Sequence, residues 1–317
     1  MAAMPTTHYR WQCGARVFEI GPRPLIMGII NVTPDSFSDG GTWFDPQRAI
    51  AHGLELVAAG ADLLDVGGES GRPGAEPVSE QEELRRILPV VAGLAEHVQA
   101  PLSIDTSKSE VARQALAAGA SIINDVTALT DPAMQEVAAA TDAGLILMHM
   151  QGTPQTMQLA PHYEDVVREV REHLETRLAE LESRGIGAER MAVDPGIGFG
   201  KRLEHNLRLL RELEATRVGH RPLCLGVSRK GFINRVLGRD GACEVGDSGT
   251  VGVVLQAVAR GAAQIARVHD VAALHAALTL FLATSPAREV GRPADGQNAA
   301  TQPPASADTH LKGRGKP

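Results

Sequence analysis

Several apolar stretches of this sequence end in, or run into, side chains able to do chemistry. Asn31 ends LIMGIIN, Glu69 follows DLLDVGG, Asp105 ends LSID, and Asn124 and Asp125 end SIIND. His149 lies in LILMHM, Asp194 ends MAVD, Ser228, Arg229 and Lys230 close LCLGVSRK, and Arg267, His269 and Asp270 lie in QIARVHD. Polar residues commonly mark where a buried strand stops, but buried charge is costly unless it is paired or used. Two chemistries separate. Asp105, Asn124 and Asp194 supply carboxylates and an amide, which can clamp the donor and acceptor edge of an amino-pyrimidine heterocycle. Arg267 and His269 occupy alternate positions of one strand and share a side. With Asn31 and its glycine-ended loop NVTPDSFSDGG they suit a phosphate or diphosphate. Taken singly, Asp194 could instead cap a turn before Pro195, and His269 could be a satisfied core histidine.

DPGIGFGK (194–201) and SRKGF (228–232) hold glycines as phosphate-cradling loops do, yet match neither GxGxxG nor GxxxxGK[ST]. Lys201 is expected to face solvent, and Lys230, placed after an apolar strand, to serve the site. His149 is ambiguous, and Met148 and Met150 read from their surroundings as packing. No His, Asp and Glu cluster has metal-chelating spacing, so a divalent metal would be held mostly by substrate phosphates.

The elements that must position these groups follow from periodicity. Continuous apolar strands are predicted over 25–32, 62–68, 102–106, 121–126, 145–150, 191–196, 223–228 and 264–270. Such runs mean burial on both faces, as in a parallel sheet covered by helices. Asp45-Pro46 and Asp131-Pro132 read as helix starts, and Ser79 with Glu82 as a capping box. YEDVVREVREHLETRLAELESRG is a long helical pattern ending at Gly185, and VAALHAALTLFLAT a closing helix. Eight strands alternating with helices predict a (β/α)8 barrel, whose active site lies at the C-terminal ends of the strands. A doubly wound open sheet usually has fewer strands. The chain divides into an N-terminal extension (1–24), the barrel (25–284) and a compositionally disordered tail (285–317).

Composition narrows the partners. The 317 residues bear a formal charge of −7, with 43% hydrophobic and 3% aromatic residues. That is enough for a core and argues against a basic, base-stacking nucleic-acid surface. Cys13, Cys224 and Cys243 offer no disulfide framework or zinc site. The opening MAAMPTTHYRWQCGARVFE has no apolar signal region and no run is long enough to span a membrane. A cytoplasmic protein is expected.

The segments MGIINVTPDSFSDGG, DVGGESGRPGA, SIDTSK, IINDVTAL, LMHMQGTPQTMQ, DPGIGFGK, GVSRKGF and RVHDV, in this order over about residues 25 to 282, resemble the dihydropteroate synthases of folate synthesis. The resemblance implies a homodimeric (β/α)8 barrel that joins 4-aminobenzoate to 6-hydroxymethyl-7,8-dihydropterin diphosphate with the help of Mg2+. Carried over by position, Asp105, Asn124, Met148, Asp194, Phe199 and Lys230 look like the pterin pocket. Asn31, Arg267 and His269 look like the diphosphate end, with Asn31 on the metal. Asp35 and Phe37 belong to a mobile loop, where Asp35 would steady a pterin cation. Phe37, Gly71, Arg72, Pro73 and Ser228 would line the aminobenzoate entrance. Catalysis would fall to Asp35, Lys230, Arg267 and His269, with no protein nucleophile.

One position departs from the pattern. The family usually reads GESTRPGA, and here Gly71 replaces the threonine. Losing one substrate hydrogen bond costs on the order of 1 kcal/mol, which implies a weakened aminobenzoate site and altered sulfonamide sensitivity. Compensation by neighbouring residues is the alternative. A non-catalytic pterin-binding paralogue and a methyltetrahydrofolate-dependent methyltransferase are the competing readings, the latter disfavoured by the Asn31 loop and RVHDV.

Overall fold

The computed structural model describes residues 7–33, 45–72, 74–238 and 246–285. The expectations for Asp35, Phe37, Pro73 and the tail after Ser285 lie outside the described residues. An antiparallel hairpin comes first, β1 (Tyr9–Cys13) and β2 (Arg16–Ile20). Then come the parallel strands β3 (Leu25–Asn31), β4 (Leu63–Gly67), β5 (Leu102–Asp105), β6 (Ile122–Asp125), β7 (Gly144–Met148), β8 (Met191–Asp194), β9 (Cys224–Gly226) and β10 (Ile265–Val268). Each coincides with one of the apolar runs. Between and after them lie α1 (Pro46–Ala58), α2 (Glu80–His97), α3 (Ser109–Ala117), α4 (Pro132–Ala139), α5 (Val166–Ser183), α6 (Leu203–Arg211), α7 (Gly231–Val236), α8 (Gly246–Ala259) and α9 (Val271–Thr284).

The sheet runs β8-β7-β6-β5-β4-β3-β10-β9, and a bridge between Val193 and Leu223 joins its two ends. The Val193 amide donates to the Pro222 carbonyl at 3.0 Å across that seam. This closure makes the sheet a (β/α)8 barrel and removes the open-sheet alternative. No described helix is long and apolar enough to cross a membrane.

The starts at Asp45 and Asp131 are set as the sequence indicates, and Asp165 and Asp270 cap two helices whose starts it did not single out. Asp45, Asp131 and Asp165 accept backbone amides at the N-termini of α1, α4 and α5, and Asp270 does so for α9. Ser79 accepts from the Glu82 amide at 3.3 Å, but the Glu82 carboxylate turns to Arg85 and Arg86. The predicted capping box is therefore half made: two guanidiniums outcompete one backbone amide for a carboxylate.

The hairpin was not anticipated within the N-terminal extension, and it fills the bottom of the barrel. Tyr9, Trp11 and Cys13 alternate with Arg10 and Gln12 and point inward. They pack with Leu25, Met27, Leu63, Ile122, Ile146, Ala192, Cys224 and Ile265, the lower inward-facing residues of the strands. Trp11 Nε1 donates to the Arg190 carbonyl at 3.0 Å, so its one polar atom is satisfied. A larger apolar shell lies between the strands and the helices.

Candidate active site

Strand alternation converts that apolar floor into a polar layer one step higher. Two residues beyond Leu63, Ile122, Ala192 and Ile265 stand Asp65, Asn124, Asp194 and Arg267. Met148 stands two beyond Ile146 and keeps that wall apolar, at 5% exposure. Register sets Asp105 beside Gly67 and Asn124, and Met148 beside Asp194. The predicted pterin set thus converges.

Arg267 is the hub. Its Nε donates to Asp65 Oδ2 at 2.6 Å and its Nη2 to Asp105 Oδ2 at 2.7 Å. Asn124 Nδ2 donates to the same Asp65 oxygen at 3.2 Å. Asp65 is fully buried, and its Oδ1 has no hydrogen-bond partner. Burial pushes the Asp105 carboxyl up to about 7, with Arg267 opposing and Asp65 reinforcing the shift. Burial also works against the Arg267 charge, but Asp65 and Asp105 outweigh it and hold the guanidinium protonated.

The opposite wall is built from Asp194, Lys230 and Phe199. A Cβ on Gly226 would stand 3.7 Å from Asp194 Oδ2, 3.8 Å from Lys230 Nζ and 4.0 Å from Arg267 Cδ, so these three crowd one glycine. Lys230 Nζ donates to the Ile197 carbonyl and lies 4.7 Å from the centre of the Phe199 ring. Burial draws the Lys230 ammonium down to about 8 against the pull of Asp194. Burial raises Asp194 in turn, opposed by Lys230 and by the Gly196 amide, which donates to Oδ1 at 2.7 Å.

At the rim Asn31, His269 and Ser228 form a chain. Asn31 Nδ2 meets His269 Nε2 at 3.3 Å, and His269 Nδ1 meets Ser228 Oγ at 2.8 Å. An amide N–H on Nε2 makes that nitrogen the acceptor and leaves the imidazole proton on Nδ1 for Ser228. The His269 backbone amide also donates to Ser228 Oγ, at 3.2 Å. The hydroxyl then accepts twice, and its own proton is available to a ligand. Burial, with Arg229 and Arg267, lowers His269 to about 3, so at neutral pH it is a hydrogen-bonding group rather than a cation. Arg229 takes a left-handed backbone (φ 56°) and turns to Asp247 at 2.8 and 2.9 Å, while its neighbours Ser228 and Lys230 bond to His269 and to the Ile197 carbonyl.

Other strand-end residues have different roles. Asp125 accepts from the Thr127 and Leu129 amides and shapes its own loop. Glu69 pairs with Lys108, which also donates to the buried Glu83 at 2.6 Å. Gly71 and Arg72 are exposed, and a Cβ on Gly71 would approach Phe199 Cζ to 3.3 Å. Lys201 corrects the sequence reading: it is 2% exposed rather than solvent-facing. Its Nζ meets His149 Nδ1 at 3.0 Å, the Phe199 carbonyl at 2.9 Å and the His149 carbonyl at 3.3 Å.

Sequence reasoning missed Asp65 altogether, although its inward position two residues after Leu63 was a usable signal. Among the described residues no three His, Cys, Asp or Glu side chains gather to cage a metal. A magnesium ion carried on a diphosphate needs few protein oxygens. Asn31, bonded to His269 through its nitrogen, keeps an amide oxygen that suits such an ion.

Comparison with known proteins agrees with this geometry. Residues 27–269 match the pterin binding enzyme family. Dihydropteroate synthase of Neisseria meningitidis serogroup C is 49% identical over 274 residues, 84% of this chain and 95% of that one. The structure of Xanthomonas albilineans dihydropteroate synthase with 4-aminobenzoic acid superposes with a TM-score of 0.82 at 46% identity, covering 89% of this chain and all of that one. The Burkholderia cenocepacia dihydropteroate synthase complexed with 7,8-dihydropteroate gives 0.78 at 44% identity, covering 88% and 97%. With a polar barrel mouth built from the family's own motifs and relatives matched over nearly their whole length, the chain belongs to the pterin binding enzymes and, within them, to the dihydropteroate synthases.

Proposed function

We propose that this chain condenses 6-hydroxymethyl-7,8-dihydropterin diphosphate with 4-aminobenzoate to give 7,8-dihydropteroate and diphosphate. The observation that carries the reading is the meeting of Asp105, Asn124, Asp194 and Lys230 in one pocket, below the Asn31–His269–Ser228 chain. Asp105, Asn124 and Asp194 take the donors of the aminopyrimidine edge, and Lys230 donates to its acceptors. Met148 and Phe199 supply apolar faces for the ring. Arg267, fixed by two carboxylates, and the hydrogen-bonding chain at the rim attract the diphosphate. Ser228, its proton directed outward, donates to the aminobenzoate carboxylate between Gly71 and Arg72. Asn31 would hold Mg2+ by its amide oxygen, and the ion when bound would neutralise diphosphate charge.

In the reaction the bond from the pterin methylene to the diphosphate oxygen breaks and the oxygen keeps the electron pair. The aryl amine then forms the new carbon–nitrogen bond and loses a proton. No protein nucleophile enters. Family resemblance adds Asp35 and Phe37, outside the described residues, to this step, whose pterin cation water would otherwise trap. Residues 25–284 make up the catalytic barrel, with 1–24 as an extension and 285–317 as a tail. The buried thiols of Cys13 and Cys224 suit a cytoplasmic location. We also read the active form as a homodimer, because α9 has no charged residue and exposes 67% of Leu280.

The test is product formation from the pterin diphosphate, labelled 4-aminobenzoate and Mg2+. Labelled dihydropteroate is expected, together with one diphosphate per turnover. Bound pterin without product would overturn the reading in favour of a binding paralogue.

A further inference from the structure

The β8–α6 loop has to aim Phe199 and support Asp194, yet three of its residues are glycines in left-handed conformations. Gly196, Gly198 and Gly200 have φ of 67°, 88° and 60°. Ile197 anchors the segment in the core, but the glycines that flank Phe199 have no side chain with which to brace it. The segment is instead pressed backbone to backbone against the loop that follows β7. A Cβ on Gly196 would fall 1.8 Å from the His149 carbonyl oxygen, and one on Gly200 2.4 Å from the Gln151 carbonyl oxygen. Lys201 lies at this junction. Its nitrogen binds the carbonyl of Phe199 from one loop, and the carbonyl and imidazole of His149 from the other. No carboxylate is salt-bridged to it among the described residues.

We propose that Lys201 is a positioning residue for the pterin substrate: by joining the Phe199 carbonyl to His149 it fixes the Phe199–Lys230 wall without touching the ligand. This rests on the assignment of that wall to the pterin. The direction of transmission is short and physical. Lys201 holds the Phe199 carbonyl at 2.9 Å, the Phe199 ring lies 4.7 Å from Lys230 Nζ, and Lys230 is tied to the Ile197 carbonyl of the same loop. Tyr163 and Gln158 tie the same loop to the post-β7 segment through the Gly200 and Gly198 carbonyls, both at 2.8 Å. Neither of those reaches Phe199.

The junction tolerates either protonation state of Lys201, which burial drives well below its ordinary value. An ammonium donates to His149 Nδ1, and a free amine accepts from an Nδ1–H while still donating to both carbonyls. Burial, with Lys201 and His173, also draws His149 down to about 2, so the imidazole stays neutral and available as the partner. His149 is therefore explained as the partner of Lys201, which the sequence left open.

The experiment measures the dissociation constant of the dihydropterin diphosphate for folded full-length protein, alongside thermal stability and steady-state kinetics. The variants are Lys201→Met, His149→Leu and His149→Asn, with Asp194→Asn as the control for the pocket. Lys201→Met is expected to weaken pterin binding at least tenfold, with kcat at saturating substrate changed by less than threefold. His149→Asn, whose amide can donate or accept, should stay within threefold of wild type, while His149→Leu follows Lys201→Met. Pterin affinity within twofold of wild type in folded Lys201→Met, whatever its melting temperature, would assign Lys201 to stability alone and overturn the proposal. If that variant does not fold, equal pterin affinity in the two His149 variants overturns it, and a difference in favour of Asn supports it. Unchanged affinity in Asp194→Asn would overturn the pocket assignment itself, and the proposal with it.

Discussion

Arg267 shows how closely the chemistry of this pocket depends on single atoms. One carboxylate oxygen of Asp65 receives both Arg267 and Asn124, and one of Asp105 receives the other arm of the guanidinium. Replacing Asp65 with Asn removes a buried charge that raises Asp105. Asp105 must be ionised to accept the N–H groups of the pterin, so kcat/KM should fall as pH drops through about 7. In Asp65→Asn that acid limb should move to lower pH, while charge-assisted bonding to Arg267 is lost and kcat/KM at pH 8 falls by roughly 10- to 100-fold. An acid limb that stays in place would refute the coupling. Gly71 invites the reverse change. Its backbone is outside the left-handed region, so Thr adds no backbone strain, but its Cβ would stand 3.3 Å from Phe199 Cζ and the ring must give by a few tenths of an ångström. Gly71→Thr should lower the aminobenzoate KM several-fold, by the ~1 kcal/mol of one hydrogen bond; an unchanged KM would show that neighbours already compensate. Most of this pocket was legible because carboxylates, amides and bases stood at the ends of apolar runs. Asp65 was hidden because it lies mid-strand, where its role depends on which side of the strand faces the axis. Lys201 was misread because nothing in GFGK reveals the carbonyls that a neighbouring loop supplies.

At the scale of elements, each parallel strand could be read from composition alone, since burial on both faces leaves an uninterrupted apolar run. The hairpin was missed for the opposite reason: β1 and β2 alternate, are five residues each, and surround the two-residue turn Gly14-Ala15. The alternation Tyr9, Trp11, Cys13 was the available signal, and what it could not reveal was the surface these residues cover. Trp11 is fully buried among the strand starts, at the end of the barrel away from the rim. Trp11→Ala should therefore cost about 3–5 kcal/mol of stability, read by urea denaturation, with kcat of the folded enzyme unchanged. A loss below about 1 kcal/mol would mean that the hairpin lies outside the cooperative core, and a fall in kcat would mean that the floor communicates with the rim.

The whole molecule depends on features that no local pattern encodes. Barrel closure relies on the Val193–Leu223 seam, supported by buried Gln264, whose Oε1 accepts from the Leu223 amide at 3.0 Å. The count of eight strands implied closure, but these few contacts achieve it. Association is similar: a formal charge of −7 keeps like chains apart in general, so self-assembly requires a surface relieved of charge. The outer side of α9 is such a surface, with Ala272, Ala276, Thr279, Leu280 and Ala283 exposed and no Asp, Glu, Lys or Arg anywhere in the helix. The adjoining α8 has Asp247 as its sole charge, and that carboxylate is already paired with Arg229. Two copies meeting there would bury apolar atoms without stranding an ion. Leu280→Glu places a charge in the middle of the patch and should convert a micromolar dimer to monomer in sedimentation velocity, with melting temperature of the isolated chain little changed because the side chain is already exposed. Asp105, Asn124, Asp194, Lys230, Arg267 and His269 meet within one chain, so the monomer should keep its kcat. A wild-type protein that sediments as a monomer, or a variant that still sediments as a dimer, would rule out α9 as the contact.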